Sequence, residues 1–394
     1  MNAPLTNRRT FLATATALLS PSVPAQANPS FIQGVTGPEK KRIAELGAKF
    51  RSKYDLPGVS LAMSYRGKLK LLACFGMADK TSRLAVGPKH RFRIASVSKP
   101  ITSVAILRLM EQSKLTLDDK VFGPKGHLRN PSLRTISDIR QRKRVESITV
   151  RNLLEHRVGG WTNKRGEAPM FAAPAFGMSH RDLIKWTITS MPLTADPGTR
   201  YAYSNFGYCL LGRVIEAVTG LSYEAAVKKL VCDRTRSMSL EIGGHTRKQR
   251  LPDEVVYYDK HDPYGRNMDV ARMDSHGGWI ATPTDLVRFA QRVDGFEAPE
   301  DILRPATIQT MTTPTDGNYA LGWNTNRSNN WWHTGSFNGG SSILARIHDG
   351  HCWAVVVNTR SYDKGYNAAL DQFPWSVKSV IRRWANHDLF KATR

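Results

Sequence analysis

Apolar residues recur with two different periods along this chain, and the period changes from the ends to the middle. Between Pro38 and Tyr54, Ile43, Leu46, Phe50 and Tyr54 share one face at helical spacing, and Pro38 suits a first helical turn. Pro57-Gly58 then breaks the pattern. Residues 59–65 and 69–75 are strand-like runs joined by Arg66-Gly67-Lys68, which predicts a hairpin. Residues 98–110 are apolar almost all round, the mark of a buried helix. Pro100 is tolerated only near the start of that helix, so it should begin close to Ser96. Further helices are expected at 149–155, 180–190, 205–219, 222–230 and 284–293. Gly/Pro-rich connectors such as Val158-Gly159-Gly160 and Asp196-Pro197-Gly198 separate them. Strand character returns at 331–335, 341–348 and 352–358, and an amphipathic helix at 374–386 closes the chain. Strands at both ends with helices between them predict an α/β (α+β) fold. Its antiparallel sheet is built from both termini and flanked by helices, with an inserted all-helical lobe and a site in the cleft between them.

Composition narrows this picture. With 41% hydrophobic and 23% charged residues over 394 positions, the chain is an ordinary folded protein rather than a disordered one. The formal net charge of +24 is the exception. A solvated basic surface accounts for it, and anionic envelope polymers are the partners it would attract. The densest cluster, Arg140-Gln141-Arg142-Lys143-Arg144, is short and comes without a zinc-finger, RNP or helix-turn-helix pattern, so no specific nucleic acid is expected. At the start, Arg8-Arg9 precedes a short apolar run from Phe11 to Leu19, and Ala25-Gln26-Ala27 offers a cleavage point. This reads as a twin-arginine signal peptide over residues 1–27, leaving a mature domain at 28–394 that is exported, periplasmic or extracellular. Its removal takes away Arg8 and Arg9, so the mature charge becomes 24 − 2 = +22. No later segment suits a transmembrane span. Cys74, Cys209, Cys232 and Cys352 show no Cys-x-x-Cys spacing and no ligand-like Cys/His cluster, so neither a metal nor a required disulfide is indicated.

Three short motifs carry the chemistry. In Ser96-Val97-Ser98-Lys99, residues three apart share one helical face, so Lys99 can reach Ser96. A serine hydroxyl needs a base to become a nucleophile, and a desolvated lysine provides a neutral amine. Tyr203-Ser204-Asn205 precedes a helix. It reads either as an N-cap or as a general-base tyrosine with a substrate-orienting amide. His333-Thr334-Gly335-Ser336 ends a strand, where a glycine lets the backbone approach a ligand. There the Ser336 N–H can serve beside that of Ser96 as an oxyanion donor, and His333 and Thr334 can meet a substrate carbonyl or carboxylate.

In order and spacing these motifs resemble those of the serine β-lactamase and penicillin-binding-protein family, especially its class C-like branch with DD-peptidases and family VIII carboxylesterases. The surroundings are similar too: Phe92-Arg93-Ile94-Ala95 before the nucleophile, Leu153-Leu154-Glu155-His156, and Gly277-Gly278-Trp279-Ile280-Ala281-Thr282. The resemblance spans roughly residues 38–385. It implies that Ser96 is acylated, that Lys99 and Tyr203 share the base and acid roles, and that Asn205, His333, Thr334, Gly335 and Ser336 bind substrate. It implies no cofactor. It implies a hydrolase acting on an ester, an amide or a peptidoglycan peptide. Two departures stand out: His333 replaces the lysine commonest in β-lactamases, and Arg157-Val158-Gly159-Gly160-Trp161 replaces the usual Thr-Ser-Gly. A competing class is a catalytically weak cell-envelope binding protein with the same fold. The basic stretch 125–147 has no assigned role.

Overall fold

The computed structural model describes residues 30–265 and 268–391, so the twin-arginine segment and its cleavage point lie outside the described residues. The main sheet is antiparallel and joins the two ends of the chain. Its order is Ser30–Gln33, Lys68–Asp79, Gly58–Tyr65, His351–Val357, Gly340–Arg346, Trp331–Phe337 and Asn324–Thr325, with Leu84–Ala85 paired to Lys68–Asp79 beside this path. The central seam pairs Val59 with Val357 and Tyr65 with His351.

Strand period dictates how this sheet is buried. Val59, Leu61, Met63, Trp353, Val355 and Val357 point to one face. There they meet Ile43, Phe50, Phe373 and Val377 from the helices Gly37–Tyr54 and Tyr366–Val380. Ala62, Leu72, Cys74, Ala354 and Val356 point to the other face and join the larger core. That core includes the apolar helix Ser98–Glu111, the helix Asn205–Thr219 and the helix Pro283–Ala290. The middle of the chain forms the expected helical lobe, with helices Ile139–Ser147, Val150–Leu154 and His180–Ser190. A second small sheet, Phe92–Arg93, Trp279–Ala281 and Glu241–Ile242, lies just before the Ser96 segment.

Two elements differ from expectation, and one stretch left without a role is now placed. The closing helix is Tyr366–Val380 rather than 374–386. Pro374 usually marks a helix start, but here it lies inside, because Tyr366, Leu370, Phe373, Val377 and Val380 keep one buried face through it. The helix expected at 222–230 divides into Tyr223–Val227, a π turn at Lys228–Cys232 and Asp233–Thr235. The basic stretch 125–147 folds as a 3-10 turn, Pro131–Thr135, followed by the helix Ile139–Ser147, whose Val145 is buried and whose Arg144 pairs with Asp196. Among the described residues no helix is long and apolar enough to cross a membrane.

All four cysteines are free and buried. Burial pushes the thiol of Cys74 up to about 11 and those of Cys209 and Cys232 up to about 12, which makes them poor thiolates. Reductant should therefore leave the melting temperature unchanged. A shift of several degrees, as loss of a disulfide worth about 2–5 kcal/mol would give, would contradict this assignment.

Candidate active site

Ser96 lies in the 3-10 turn Ala95–Val97, which runs straight into the helix Ser98–Glu111. Ala95 has φ +46, in the left-handed region that an alanine rarely adopts. Neighbours hold it there. The Ile94 N–H donates to the Trp279 carbonyl at 3.0 Å, and the Ile94 carbonyl accepts from Ser342 Oγ at 2.7 Å and from the Val97 N–H at 3.1 Å. The strained turn lifts Ser96 into a cleft of about 740 Å3 between the sheet and the lobe.

Lys99 is fully buried beneath that serine. Its Nζ lies 3.0 Å from Ser96 Oγ, 2.8 Å from Asn205 Oδ1 and 2.9 Å from the His276 carbonyl. Asn205 Oδ1 and the carbonyl can only accept. A neutral amine has two N–H groups for these two acceptors and one lone pair for the hydroxyl of Ser96. No carboxylate lines the cleft among the described residues. Burial without a counter-charge holds the Lys99 ammonium well below the usual lysine range.

Tyr203 lines the cleft beside Ser96, and its ring centre is 4.8 Å from Lys99 Nζ. A general-base tyrosine works best with a lowered pKa. The structure shows the reverse: desolvation raises the phenol well above its ordinary value, and burial holds the neighbouring Lys99 below its own. The phenol is therefore a proton carrier in the resting site. Ser204 caps the helix Asn205–Thr219 by accepting from the Gly207 N–H at 3.0 Å, while Tyr203 and Asn205 on either side of it line the cleft.

Two residues that the motifs did not single out hold this tripeptide in place. His156 Nδ1 accepts from the Ser204 N–H at 3.1 Å, and its carbonyl accepts from the Ala202 N–H at 2.7 Å. Asn163 Oδ1 accepts from the Asn205 N–H at 2.9 Å, while the Asn163 N–H donates to the Tyr203 carbonyl at 3.0 Å. A polar residue beyond Trp161, where the family-like segment departs, was the only signal for Asn163. The departure itself is structural. Arg157 is buried, donates to the Gly198 carbonyl and pairs with Asp316.

The third motif lies along the strand Trp331–Phe337. It closes through the two-residue turn Asn338-Gly339, so Phe337 and Gly340 form a hydrogen-bonded pair. By alternation, Ser336 and Thr334 turn their backbone groups away from the neighbouring strand and toward the nucleophile side. Gly335 explains how the strand comes so near. A Cβ there would sit 2.2 Å from the Ile94 carbonyl oxygen and 3.1 Å from Ser96 N. Ser96 and Ser336 thus line the same cleft, the arrangement that an oxyanion hole made from their N–H groups would need.

His333 is only 3% exposed. Its Nδ1 faces the Thr334 carbonyl at 2.7 Å and so carries the proton, and its Nε2 accepts from the Tyr319 hydroxyl at 3.1 Å. Burial, with Lys99 nearby, pushes its pKa down to about 3. Both ring nitrogens are occupied within the protein, while the Thr334 side chain is exposed. The fixed positive charge among the described residues lining the cleft is instead Arg360, with no ion-pair partner and its guanidinium 4.7 Å from the Tyr362 ring. No three His, Cys, Asp or Glu side chains gather as a metal site would need among the described residues.

The Beta-lactamase family pattern matches residues 40–372. The chain belongs to the Beta-lactamase family. Solved Beta-lactamase-fold structures agree in architecture. A class C beta-lactamase matches at TM-score 0.68 with 19% identity, over 86% of this chain and 96% of that one. The D-amino acid amidase of Ochrobactrum anthropi SV3, solved with L-phenylalanine amide, matches at 0.67 with 21% identity, over 86% and 99%. A probable fimbrial assembly protein FimD, serogroup H1, of Dichelobacter nodosus is 31% identical over 204 residues, covering 50% of this chain and 47% of that protein. The chain thus spans about half the length of this curated relative.

Three predictions rest on this geometry. A guanidinium keeps its proton in proteins, so Lys99→Arg should lower kcat/KM for an ester by about 10²–10⁴. In the unaltered protein the rate should fall as pH drops through the lowered Lys99 pKa, because the ammonium has no lone pair; a flat acid limb would count against Lys99 as base. Gly335→Ala should cost about 10²–10³ in kcat, the range for loss of one oxyanion donor, with a lower melting temperature. An unimpaired rate would show that this close approach is dispensable.

Proposed function

We propose that the chain is a serine hydrolase that cleaves an ester or an amide through an acyl-enzyme on Ser96. The observation that carries this reading is the buried Lys99 amine, unpaired with any carboxylate and 3.0 Å from the Ser96 hydroxyl. In acylation Lys99 takes the Ser96 proton, and Oγ forms a bond to the substrate carbonyl carbon. The oxyanion rests on the Ser96 and Ser336 N–H groups. The C–O or C–N bond then breaks, and the proton held by Lys99 passes through the Tyr203 hydroxyl to the leaving group. Water, deprotonated by the same pair, releases the acid and restores Ser96. Asn205 holds Lys99, and Gly335 gives the strand its approach. Thr334 offers its hydroxyl to substrate, while His333 acts from beneath by fixing Tyr319.

Within this class an esterase or amidase role fits better than a β-lactamase one. A neutral His333 with both nitrogens occupied gives no charge to an anionic carboxylate. A D-Ala-D-Ala peptide would have to use Arg360 instead. The test is hydrolysis of p-nitrophenyl acetate by the protein and by Ser96→Ala, with fluorophosphonate labelling of Ser96 read by mass spectrometry. Turnover and label should both vanish in the variant. Undiminished turnover in Ser96→Ala would remove the serine from the mechanism.

A further inference from the structure

The described residues include nine large apolar side chains that are exposed, and three of them line the Ser96 cleft: Phe171 at 43%, Phe176 at 39% and Tyr201 at 47%. Exposed aromatics cost stability that burial would have gained, and their convergence on one concavity marks a binding surface rather than scatter. Met268 and Phe337 continue the same lining.

This rim is built. Phe171 ends the 3-10 turn Pro169–Phe171, and Phe176 follows the turn Ala173–Ala175. Met170 and Ala175, their immediate neighbours, are buried in the core. Arg272, itself 8% exposed, ties both turns down. Its Nη2 donates to the Met170 carbonyl at 3.1 Å, and its Nη1 donates to the Ala175 carbonyl. The backbone on either side is therefore anchored while the two phenyl rings are left facing outward. Tyr201 stands on the other rings of the site, 5.7 Å from Tyr319 and 6.0 Å from His156.

We infer that the substrate carries a bulky apolar group, alkyl or aryl, which packs on Phe171, Phe176 and Tyr201 while its ester or amide carbonyl sits at Ser96. This rests on the serine hydrolase reading and narrows it. Such a group would exchange water on three aromatic faces for apolar contact, and a short polar substrate would leave them wet. The cleft wall also carries Asn163, Asn324 and Asn338, polar side chains suited to the rest of the substrate.

The test uses the chain-length profile of p-nitrophenyl esters from acetate to hexanoate. Each fully buried methylene is worth about 0.8 kcal/mol, close to fourfold. Partial burial over four methylenes should therefore raise kcat/KM by at least about tenfold across the series. In Phe171→Ala/Phe176→Ala the hexanoate-to-acetate ratio should fall to about twofold, with fluorophosphonate labelling of Ser96 as the check on folding. A flat or falling profile in a protein whose Ser96 is labelled would overturn the rim inference, and so would an unchanged ratio in the double variant. Absence of both labelling and ester hydrolysis would instead overturn the serine reading on which it stands.

Discussion

A lysine side chain buried without a counter-charge is the constraint on which this site depends. Left alone in the interior, the Lys99 amine would be an expensive group. Here it is met by a hydroxyl, an amide oxygen and a backbone carbonyl. These partners come from three distant segments: the nucleophile turn, the start of the helix Asn205–Thr219 and the short helix Asp274–Gly277. One nitrogen therefore draws together the sheet-side core and the helical lobe. The desolvation that lowers its proton affinity is the same burial that holds the lobe against the sheet, so reactivity and architecture share a cause. Water reaching Lys99 would undo the desolvation that lowers its pKa.

Much of this was legible in the residues. Ser96 and Lys99 declare themselves because helix geometry forces i and i+3 together, and the all-apolar helix behind them says that the lysine must be buried. The runs at 59–65 and 352–358 predict strands, and the structure buries them on both faces. The order of the three motifs predicts which segments meet. What stayed hidden acts through backbone atoms or over long distances. The His276 carbonyl that binds Lys99 has no side-chain signature. Asn163 and His156 matter for what they hold rather than for what they touch in the cleft. Pro374 misplaced the closing helix because a proline reports local geometry, whereas the buried face of Tyr366–Val380 is decided by packing on the sheet.

His333 shows how far residue type can mislead. A histidine in place of a lysine suggests a weaker cation facing the substrate. The structure assigns it another position: it bridges the Thr334 carbonyl and the Tyr319 hydroxyl, and Tyr319 in turn belongs to a packed set of rings with Tyr201, Tyr203, Tyr208 and His156. Its effect on substrate passes through the shape of that aromatic floor rather than through charge. Two residues of similar chemistry at one sequence position can thus do different work, one reaching outward and one bracing from below.

The pairing at the centre of the sheet has a consequence for how the protein comes into being. Ser64 Oγ reaches the carbonyl of Cys352, 288 positions further along the chain. The strand carrying Gly335 and Ser336 docks through the same late-made hairpin. A nascent chain therefore holds its serine and lysine long before it holds the surface that gives them meaning. Closing so long a loop delays the final step of assembly. The Ser96–Lys99 pair consequently lacks one wall of its cleft until the strands between Trp331 and Val357 have been made.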